Sequence, residues 1–225
     1  MRKLNKLISI IIPCLNGMNY LSEAIAGIQK QNMNVEIIVV DDASTDETVA
    51  LAEKLNCKVL RNKKKQGAVV AKNLGLKSAL GEYILFHDHD DIMNEGALLK
   101  LYEELTSKEK LYFVMGKIVD FYSPELTEAE RKEVKIKTIP YHGVFAGAAL
   151  FRREIFDIVG DFDESLSAGE VISFIKKIDK YPAIKYEKID IVTLNRRIHK
   201  NNYGRTNTKD EYKDYLKIIR DSIKK

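Results

Sequence analysis

The stretch Val35 to Asp46, VEIIVVDDASTD, decides the fold class of this chain. It opens on a mainly apolar run rich in Val and Ile, which is typical of a strand buried on both faces of a sheet. Asp41 and Asp42 then predict a polar turn, and Ser44 begins a group of residue types that cap helices. A buried strand that ends in a polar turn and leads into a helix is the repeating unit of a parallel α/β sheet.

The same unit recurs along the first half of the chain. Apolar runs predict strands, and apolar residues at helical spacing predict the helices between them. We therefore predict an α/β protein with a Rossmann-like, mostly parallel central sheet and helices on both faces. The predicted strands are 7–12, 35–40, 58–61, 83–86 and 111–119, and the predicted helices are 20–31, 48–55, 68–80 and 94–105.

Beyond residue 119 this alternation ends. A polar loop with a short helix, a small apolar segment, two further helices and an amphipathic C-terminal helix with a basic face are expected. Their ranges are 122–140 with a helix near 125–133, then 142–151, 153–159, 171–180 and 210–225. We predict one domain over 1–205, with halves at 1–106 and 107–205, and a C-terminal helix over 206–225.

The composition is that of a soluble globular protein: 225 residues, 31% charged and 45% hydrophobic, with a net charge of +4. A charge this modest, without a binding motif, argues against a nucleic-acid partner. Cys14 and Cys57 are interpreted as free thiols of a reducing compartment. The apolar start is too short for a membrane span, so we expect a cytoplasmic protein. The basic C-terminal helix is expected either to pack on the core or to touch the inner face of the membrane, and a homodimer is left open.

The acidic stretch FHDHDD, from Phe86 to Asp91, places three carboxylates and two histidines behind a predicted buried strand. Two unit charges about 4 Å apart repel by roughly 4 kcal/mol at an effective dielectric near 20. This cost predicts a bound cation. Oxygen ligands suit Mg²⁺ or Mn²⁺ together with phosphate oxygens, whereas the spacing of zinc signatures is absent. His87 and His89 are expected on opposite faces, so at most one faces the ion.

Polar residues follow three of the predicted strands: Asn16 and Gly17, Asp41 and Asp42, and the acidic stretch. Because the carboxyl ends of parallel strands share one edge of a sheet, these turns should gather at a ligand site. Helix capping is the alternative explanation for each, and it is the better one for Ser44, Thr45 and Asp46.

Six segments in order resemble the family 2 inverting glycosyltransferases of the GT-A fold. The match is close over about residues 7–106 and looser to about residue 203. The segments are IIIPCLNG (10–17), EIIVVDDASTD (36–46), GAVVAKNLG (67–75), GEYILFHDHDD (81–91), GAALFRREIFDIVGDFDESL (147–166) and RIHKNN (197–202).

This resemblance implies a set of site residues. Asp42 would accept a hydrogen bond from the uracil of a nucleotide sugar, and Asp90 would be the likelier direct ligand of Mn²⁺ or Mg²⁺. Lys72 stands where the family has Arg, so the charge is kept and the bidentate fork is lost. The implied donor-binding residues are Pro13, Cys14, Asn16, Asp42, Gly67, Lys72, Asn73 and Asp88, and the implied metal ligands are Asp88, Asp90 and His199.

The general base departs from the family pattern. The family's G-E-D triplet would place its Asp at 171, where this chain has Val171. Glu170 is the first candidate to replace it, and Asp163 or Asp161 are weaker ones because their segment reads as a turn and helix cap. The missing Asp also leaves open a degenerate protein that binds a nucleotide sugar without transferring it.

The resemblance implies transfer from a UDP-sugar to an unknown hydroxyl acceptor, in the synthesis of cell-surface glycans or other glycoconjugates. The Q-x-x-R-W signature of processive synthases is absent, and the chain contains no Trp, which favours transfer of a single sugar. The segments 122–140 and 143–149 are expected to shape the acceptor pocket. A nucleotidyltransferase is the remaining alternative, although no Gly-rich phosphate loop supports it.

Overall fold

A mixed β-sheet of eight strands forms the centre of the computed structural model, which describes residues 6–200, 202 and 208–223. The strands are β1 (Ile8–Cys14), β2 (Val35–Asp41), β3 (Lys58–Arg61), β4 (Tyr83–Phe86), β5 (Ile92–Met93), β6 (Leu111–Tyr122), β7 (Ala149–Arg152) and β8 (Lys185–Ile198). The helices are α1 (Leu21–Gln29), α2 (Thr48–Lys54), α3 (Ala68–Ser78), α4 (Ala97–Ser107), α5 (Glu128–Lys132), α6 (Glu154–Val159), α7 (Glu170–Ile178) and α8 (Thr208–Ile223).

The strand order is β3-β2-β1-β4-β7-β6-β8-β5. The first four strands are parallel, β7 runs antiparallel to both β4 and β6, and β8 is parallel to β6. The loops that follow β1 to β4 therefore lie along one edge of the sheet, which is the edge where ligands bind in open α/β folds.

Strand β1 lies at the centre of this parallel part and is buried along its whole length. Its side chains alternate between two apolar cores because successive residues of a strand point to opposite faces. Ile8, Ile10 and Ile12 pack in the core that contains residues of α1 and α4, whereas Ile11 packs in the core that contains residues of α3 and α7. This two-sided burial explains why the first strands read as continuous apolar runs.

The mostly parallel α/β prediction is confirmed, but the second half of the sheet was incompletely predicted. The helices expected at 153–159 and 171–180 correspond to α6 and α7, and the short helix near 125–133 is α5, which begins at a capping box between Thr127 and Glu130. Strands β5, β7 and β8 were not predicted. Strand β8 pairs with β6 over almost its whole length. This pairing places residues near 195–199 close to the loops that follow the parallel strands.

Helix α8 packs against the rest of the protein through one face. Ile218 is buried, and the Asp214 carboxylate accepts hydrogen bonds from the backbone N–H groups of Ser167 and Ala168. Tyr212 and Leu216 lie on the exposed face. Within the described ranges, no helix combines the length and the apolar character that crossing a membrane requires.

Candidate active site

The loops after β1 and β2 are tied together by Asn16. Its backbone N–H donates to Ser44 Oγ at 2.8 Å, and its side-chain Oδ1 accepts from the backbone N–H of Thr45 at 2.9 Å. Asn16 has a positive φ of 54°, a conformation that Asn tolerates better than most residues. Its side chain therefore joins two loops of the ligand edge and does not cap a helix, because α1 begins after Tyr20 without a side-chain cap.

Asp42 lies beneath the loop that leads into α3. Its carboxylate accepts from Asn62 Nδ2 at 2.8 Å and from the backbone N–H groups of Gln66 at 2.9 Å and Gly67 at 2.7 Å. Its own N–H donates to the carbonyl of Cys14 at 2.8 Å, which places the end of β1 beside it. A carboxylate has about four acceptor positions, so three internal bonds leave capacity for one more donor.

A cavity of about 350 Å³ opens beside these loops. It is lined by Ala43, Ser44, Arg61, Asn62 and Lys63, which lie at or just after the ends of β2 and β3. Of its two cationic side chains, Arg61 pairs with the buried Asp41 at 3.1 Å and Lys63 is exposed.

The three carboxylates of the acidic stretch lie in three different environments. The side chain of Asp88 is 45% exposed, and its Oδ1 lies 4.0 Å from Lys72 Nζ. The side chain of Asp90 is 15% exposed and accepts a hydrogen bond from His199 Nε2 at 2.8 Å. Asp91 is buried and accepts from the backbone N–H of Arg197 at 2.9 Å. Asp88 and Asp90 thus keep some exposure, whereas Asp91 is buried and anchors β8.

The carboxylates of Asp90 and Asp91 also differ in the direction of their pKa shifts. Burial alone would raise the pKa of Asp90, but the hydrogen bond from His199 and the nearby imidazoles outweigh it and lower that pKa. Burial, together with the charges of Asp90 and Asp88, raises the pKa of Asp91 well above its ordinary value. Burial lowers the pKa of His87, which is completely buried and therefore neutral. The structure thus assigns His87 to packing.

Arg197 is a site residue to which the sequence interpretation gave no role of its own beyond its place in the segment RIHKNN. Its guanidinium is 3% exposed and lies between the rings of Tyr20, at 5.0 Å, and Phe121, at 4.7 Å. Its Nε donates to the backbone carbonyl of Asp90 at 2.8 Å, and Nη2 pairs with Glu23. Arg197 therefore holds the acidic turn against α1. Its position two residues before His199 in RIHKNN was the available signal.

Lys72 and Glu170 form an ion pair across the two halves of the fold. Lys72 Nζ lies 2.5 Å from Glu170 Oε1, and the two side chains are 8% and 12% exposed. Burial alone would raise the pKa of Glu170, but the charge and hydrogen bond of Lys72 outweigh it and lower that pKa. Val171, by contrast, is buried in the core with Phe174 and Ile178. Glu170, at the start of α7, thus shares the ammonium of Lys72 with Asp88.

Two predicted site residues have structural partners instead. Asn73 is 1% exposed and joins the segment after α6, because its Nδ2 donates to the carbonyl of Phe162 and its Oδ1 accepts from the same residue's N–H. Asp163 accepts from the N–H and hydroxyl of Ser165 and lies 3.8 Å from Lys217 Nζ. The two bonds from Ser165 form the turn that the alternative explanation for Asp163 expected, but Asp163 does not cap α7, whose N-cap is Gly169. Their predicted roles in ligand binding and catalysis stay predictions.

The carboxylates of the acidic turn fit Mg²⁺ or a similar ion better than zinc. In the part of the chain that the structure describes, no three His, Cys, Asp or Glu side chains form a preformed metal cage. A structural zinc site needs four protein ligands, so zinc does not fit. Mg²⁺ and ions of similar chemistry are usually held by one or two carboxylates together with substrate phosphates and water. The half-exposed Asp88 and the neighbouring Asp90 match that donor set.

Solved structures of known proteins share this architecture. TarS of Staphylococcus aureus, solved as residues 1–349 in complex with UDP-GlcNAc, superimposes with a TM-score of 0.72 at 21% identity, over 95% of this chain and 65% of that one. The mannosyltransferase PcManGT of Pyrobaculum calidifontis, in complex with GDP-Man and Mn²⁺, gives a TM-score of 0.72 at 18% identity, over 95% of this chain and 64% of that one. The fold is GT-A, the glycosyltransferase class that the sequence predicted.

Sequence comparison gives the family. An uncharacterized glycosyltransferase of Rickettsia prowazekii is 30% identical over 92% of this chain and 70% of its own length. The sequence model described as "Glycosyl transferase family 2" matches residues 9–160, and the chain belongs to that family. The chain spans only part of the length of most of its curated relatives, from 37% to 70% in the first three.

Proposed function

We propose that this chain is a metal-dependent inverting glycosyltransferase that moves a single sugar from a UDP-sugar donor to a hydroxyl acceptor. The observation that carries the proposal is that two sets of residues lie along one edge of the sheet, after β2 and β4, the parallel strands on either side of β1. One set is the Asp42 loop, and the other is the acidic turn with His199 and Glu170 beside it. A nucleotide and a reacting sugar need these two environments side by side.

The nucleotide half of the site would hold the base and ribose. Asp42 supplies a fixed carboxylate for an N–H of the uracil, with the main chain of Pro13 and Cys14 beside it and the loops of Asn16 and Gly67 around it. TarS is crystallised with UDP-GlcNAc, which supports a UDP-linked donor.

The acidic turn would hold the diphosphate through an ion. Asp88 and Asp90 would bind Mn²⁺ or Mg²⁺, and His199 would orient Asp90 or complete the ion's ligands. PcManGT, a fold neighbour, is crystallised with Mn²⁺, which supports this choice of metal class. When bound, the ion stabilises the negative charge that develops on the leaving diphosphate.

Inversion requires a single displacement at the anomeric carbon. The acceptor oxygen forms the new bond while the bond to the β-phosphate oxygen breaks, and the bonding electrons leave with UDP. A general base on the face opposite the leaving group takes the acceptor's proton. Glu170 is our candidate for this base because Lys72 contacts both its carboxylate and Asp88. The carboxylate is ionised at neutral pH, and the ion pair with Lys72, which lowers its pKa, makes it a weaker base than a free Glu. Asp163, bound in its turn, is the weaker candidate.

Calorimetry with UDP tests this proposal. We expect UDP binding that strengthens at least about tenfold when Mn²⁺ is added, and Asp90→Ala should remove that gain. Asp157→Ala, which changes an exposed carboxylate of α6, is the matched control and should bind like the wild type. Absence of UDP binding, or binding that is indifferent both to Mn²⁺ and to Asp90→Ala, would refute the proposal.

A second candidate function is a binding protein that has lost transfer. Val171 in the apolar core, at the position of the family's usual base, is the observation that favours it. This protein would bind UDP in the same metal-dependent way but release no UDP from a panel of UDP-sugars, either to water or to acceptors. Turnover of any donor excludes it.

A further inference from the structure

The ion pair between Lys72 and Glu170 has a one-sided geometry. Lys72 Nζ donates to Oε1 of Glu170 at 2.5 Å. Among the described residues, Lys72 is the only other side chain that hydrogen-bonds to the Glu170 carboxylate, and the backbone N–H of Glu170 also interacts with that carboxylate. The carboxylate is thus fixed through one oxygen, while the other keeps its capacity to accept a proton.

The same lysine also lies beside the acidic turn. Its Nζ is 4.0 Å from Asp88 Oδ1, so the ammonium lies between the proposed base and a proposed metal ligand. Lys72 is almost completely buried, and a buried ammonium is costly unless it is paired. The two carboxylates provide that pairing, and Lys72 in return fixes Glu170 relative to Asp88.

The contact joins parts of the chain that are otherwise far apart. Lys72 is in α3, which packs on β1 and β2, and Glu170 is the first residue of α7, 98 residues later. The N-terminus of a helix favours an acidic side chain, and this favours Glu170 at that position. A small shift of α7 would change the distance from Glu170 to the acidic turn, and a base misplaced by about 1 Å can cost on the order of 10²-fold in rate.

We infer that Lys72 is a positioning residue for Glu170: it fixes the carboxylate through Oε1 and presents Oε2 to the acceptor hydroxyl. This inference rests on the proposed function, and it differs from the sequence interpretation, in which Lys72 was expected to lie beside the nucleotide. A lysine suits the task because it is a point charge with rotatable donors. An arginine fork could engage both carboxylate oxygens and occupy the one that must accept the proton.

Four variants distinguish a positioning role of Lys72 from a direct contact between Lys72 and the donor. Lys72→Met keeps the length and removes the charge, Lys72→Arg keeps the charge, and Glu170→Gln removes the base. Lys77→Met is the matched control, because Lys77 is in the same helix but is exposed and pairs loosely with Asp161 at 3.8 Å. The measurements are the Kd for UDP with Mn²⁺ and the rate of UDP release from UDP-GlcNAc, with water or an acceptor.

A positioning role predicts that kcat falls while donor binding stays. Lys72→Met and Glu170→Gln should each lower kcat about 100-fold, and Lys72→Met should keep the UDP Kd within about threefold. Combining the two changes should be no slower than Glu170→Gln alone, because both act through one carboxylate. Lys72→Arg should keep Glu170 in place but stay slower than the wild type, because its fork can occupy Oε2, and Lys77→Met should match the wild type.

A crystal structure of Lys72→Met bound to UDP tests the same inference without turnover. The inference predicts that the Glu170 carboxylate leaves its present position while α7 stays in place. If this variant does not fold, the structure of Lys72→Arg replaces it, and the arginine should contact Glu170. An unmoved carboxylate in the first variant, an arginine turned away from Glu170, or a loss of UDP affinity equal to that of Asp90→Ala would overturn the inference. A wild-type protein that binds no UDP would instead refute the proposed function.

Discussion

His199 and Asp90 are joined by a hydrogen bond of 2.8 Å between Nε2 and Oδ2, although 109 residues separate them in the chain. The ring of His199 also packs on Tyr20, with ring centroids 4.8 Å apart. His199 directly follows β8, so this strand places the His199 imidazole beside the acidic turn. Such a contact orients a carboxylate that binds a metal, or adds a ligand to it.

His199→Ala should weaken the metal-dependent part of UDP binding. Loss of a partner that orients a metal ligand typically costs about 10- to 100-fold in metal affinity. Titration of Mn²⁺ into the protein with saturating UDP measures this change. His142→Ala is the control, since His142 pairs with the exposed Asp190 and should behave like the wild type. Equal Mn²⁺ affinity in all three proteins would show that His199 has no part in the site.

Asp42→Ala should affect both stability and nucleotide binding. The change removes the acceptor for Asn62 and for two backbone N–H groups, at Gln66 and Gly67. Leaving buried donors unpaired costs about 1–3 kcal/mol, so the free energy of unfolding in urea should fall by that amount. UDP should bind more weakly, whereas inorganic pyrophosphate with Mn²⁺ should bind as before. An unchanged Kd for UDP would contradict the proposed contact with the base.

Breaking the Lys72–Glu170 pair should lower the free energy of unfolding. Removing one partner of a buried pair costs about 3–5 kcal/mol, whereas replacing both can be nearly neutral. The combined Lys72→Met and Glu170→Gln protein should therefore be more stable to urea than Lys72→Met alone. A combined variant that is less stable than either single variant would contradict a coupled pair.

The pH dependence of unfolding follows from the same pair. The pKa of Glu170 is lower in the folded state than in the unfolded chain, so its stabilising contribution is present above the ordinary carboxyl pKa and is lost as pH falls. Between about pH 5 and pH 3, the wild type should lose stability more steeply than Glu170→Gln. Parallel curves from urea unfolding at several pH values would contradict this prediction.

Gly17→Ala should damage the site through packing. A Cβ at this position would lie 2.3 Å from Cys14 Sγ and 3.0 Å from His89 Cδ2, so one of the two must move. Overpacking of this kind costs about 1–3 kcal/mol, and the affinity for UDP should fall with it. Gly27→Ala is the matched control because its Cβ would meet its neighbours at 3.4 Å or more and Ala favours the helix. Thermal unfolding and calorimetry with UDP, carried out on Gly17→Ala and Gly27→Ala, test this prediction.

The first half of the fold could be predicted because its signals are local. Apolar runs of β-branched residues, polar turns and helical spacing coincide there, and β1 to β4 with the helices between them appear as expected. Strand β8 could not be predicted in this way. Its first part is charged and exposed, and its pairing with β6 joins segments that are distant in sequence. A strand of this kind is defined by its partner more than by its own composition.

The site residues also divide into those located by local sequence signals and those whose roles depend on long-range contacts. The acidic turn and the Asp42 loop were located by their position after predicted strands. The roles within them depend on long-range contacts: Asp91 binds the backbone of Arg197, and Lys72 pairs with Glu170. Spacing along the chain carries no information about such contacts, so the function of Arg197 was missed.

A crystal structure of the wild-type protein with UDP and Mn²⁺ tests the central claim most directly. The account predicts one ion coordinated by Asp90, with Asp88 or His199 beside it, which also binds diphosphate oxygens while the uracil contacts Asp42. A diphosphate bound away from the acidic turn, or an ion that contacts none of these three side chains, would contradict it.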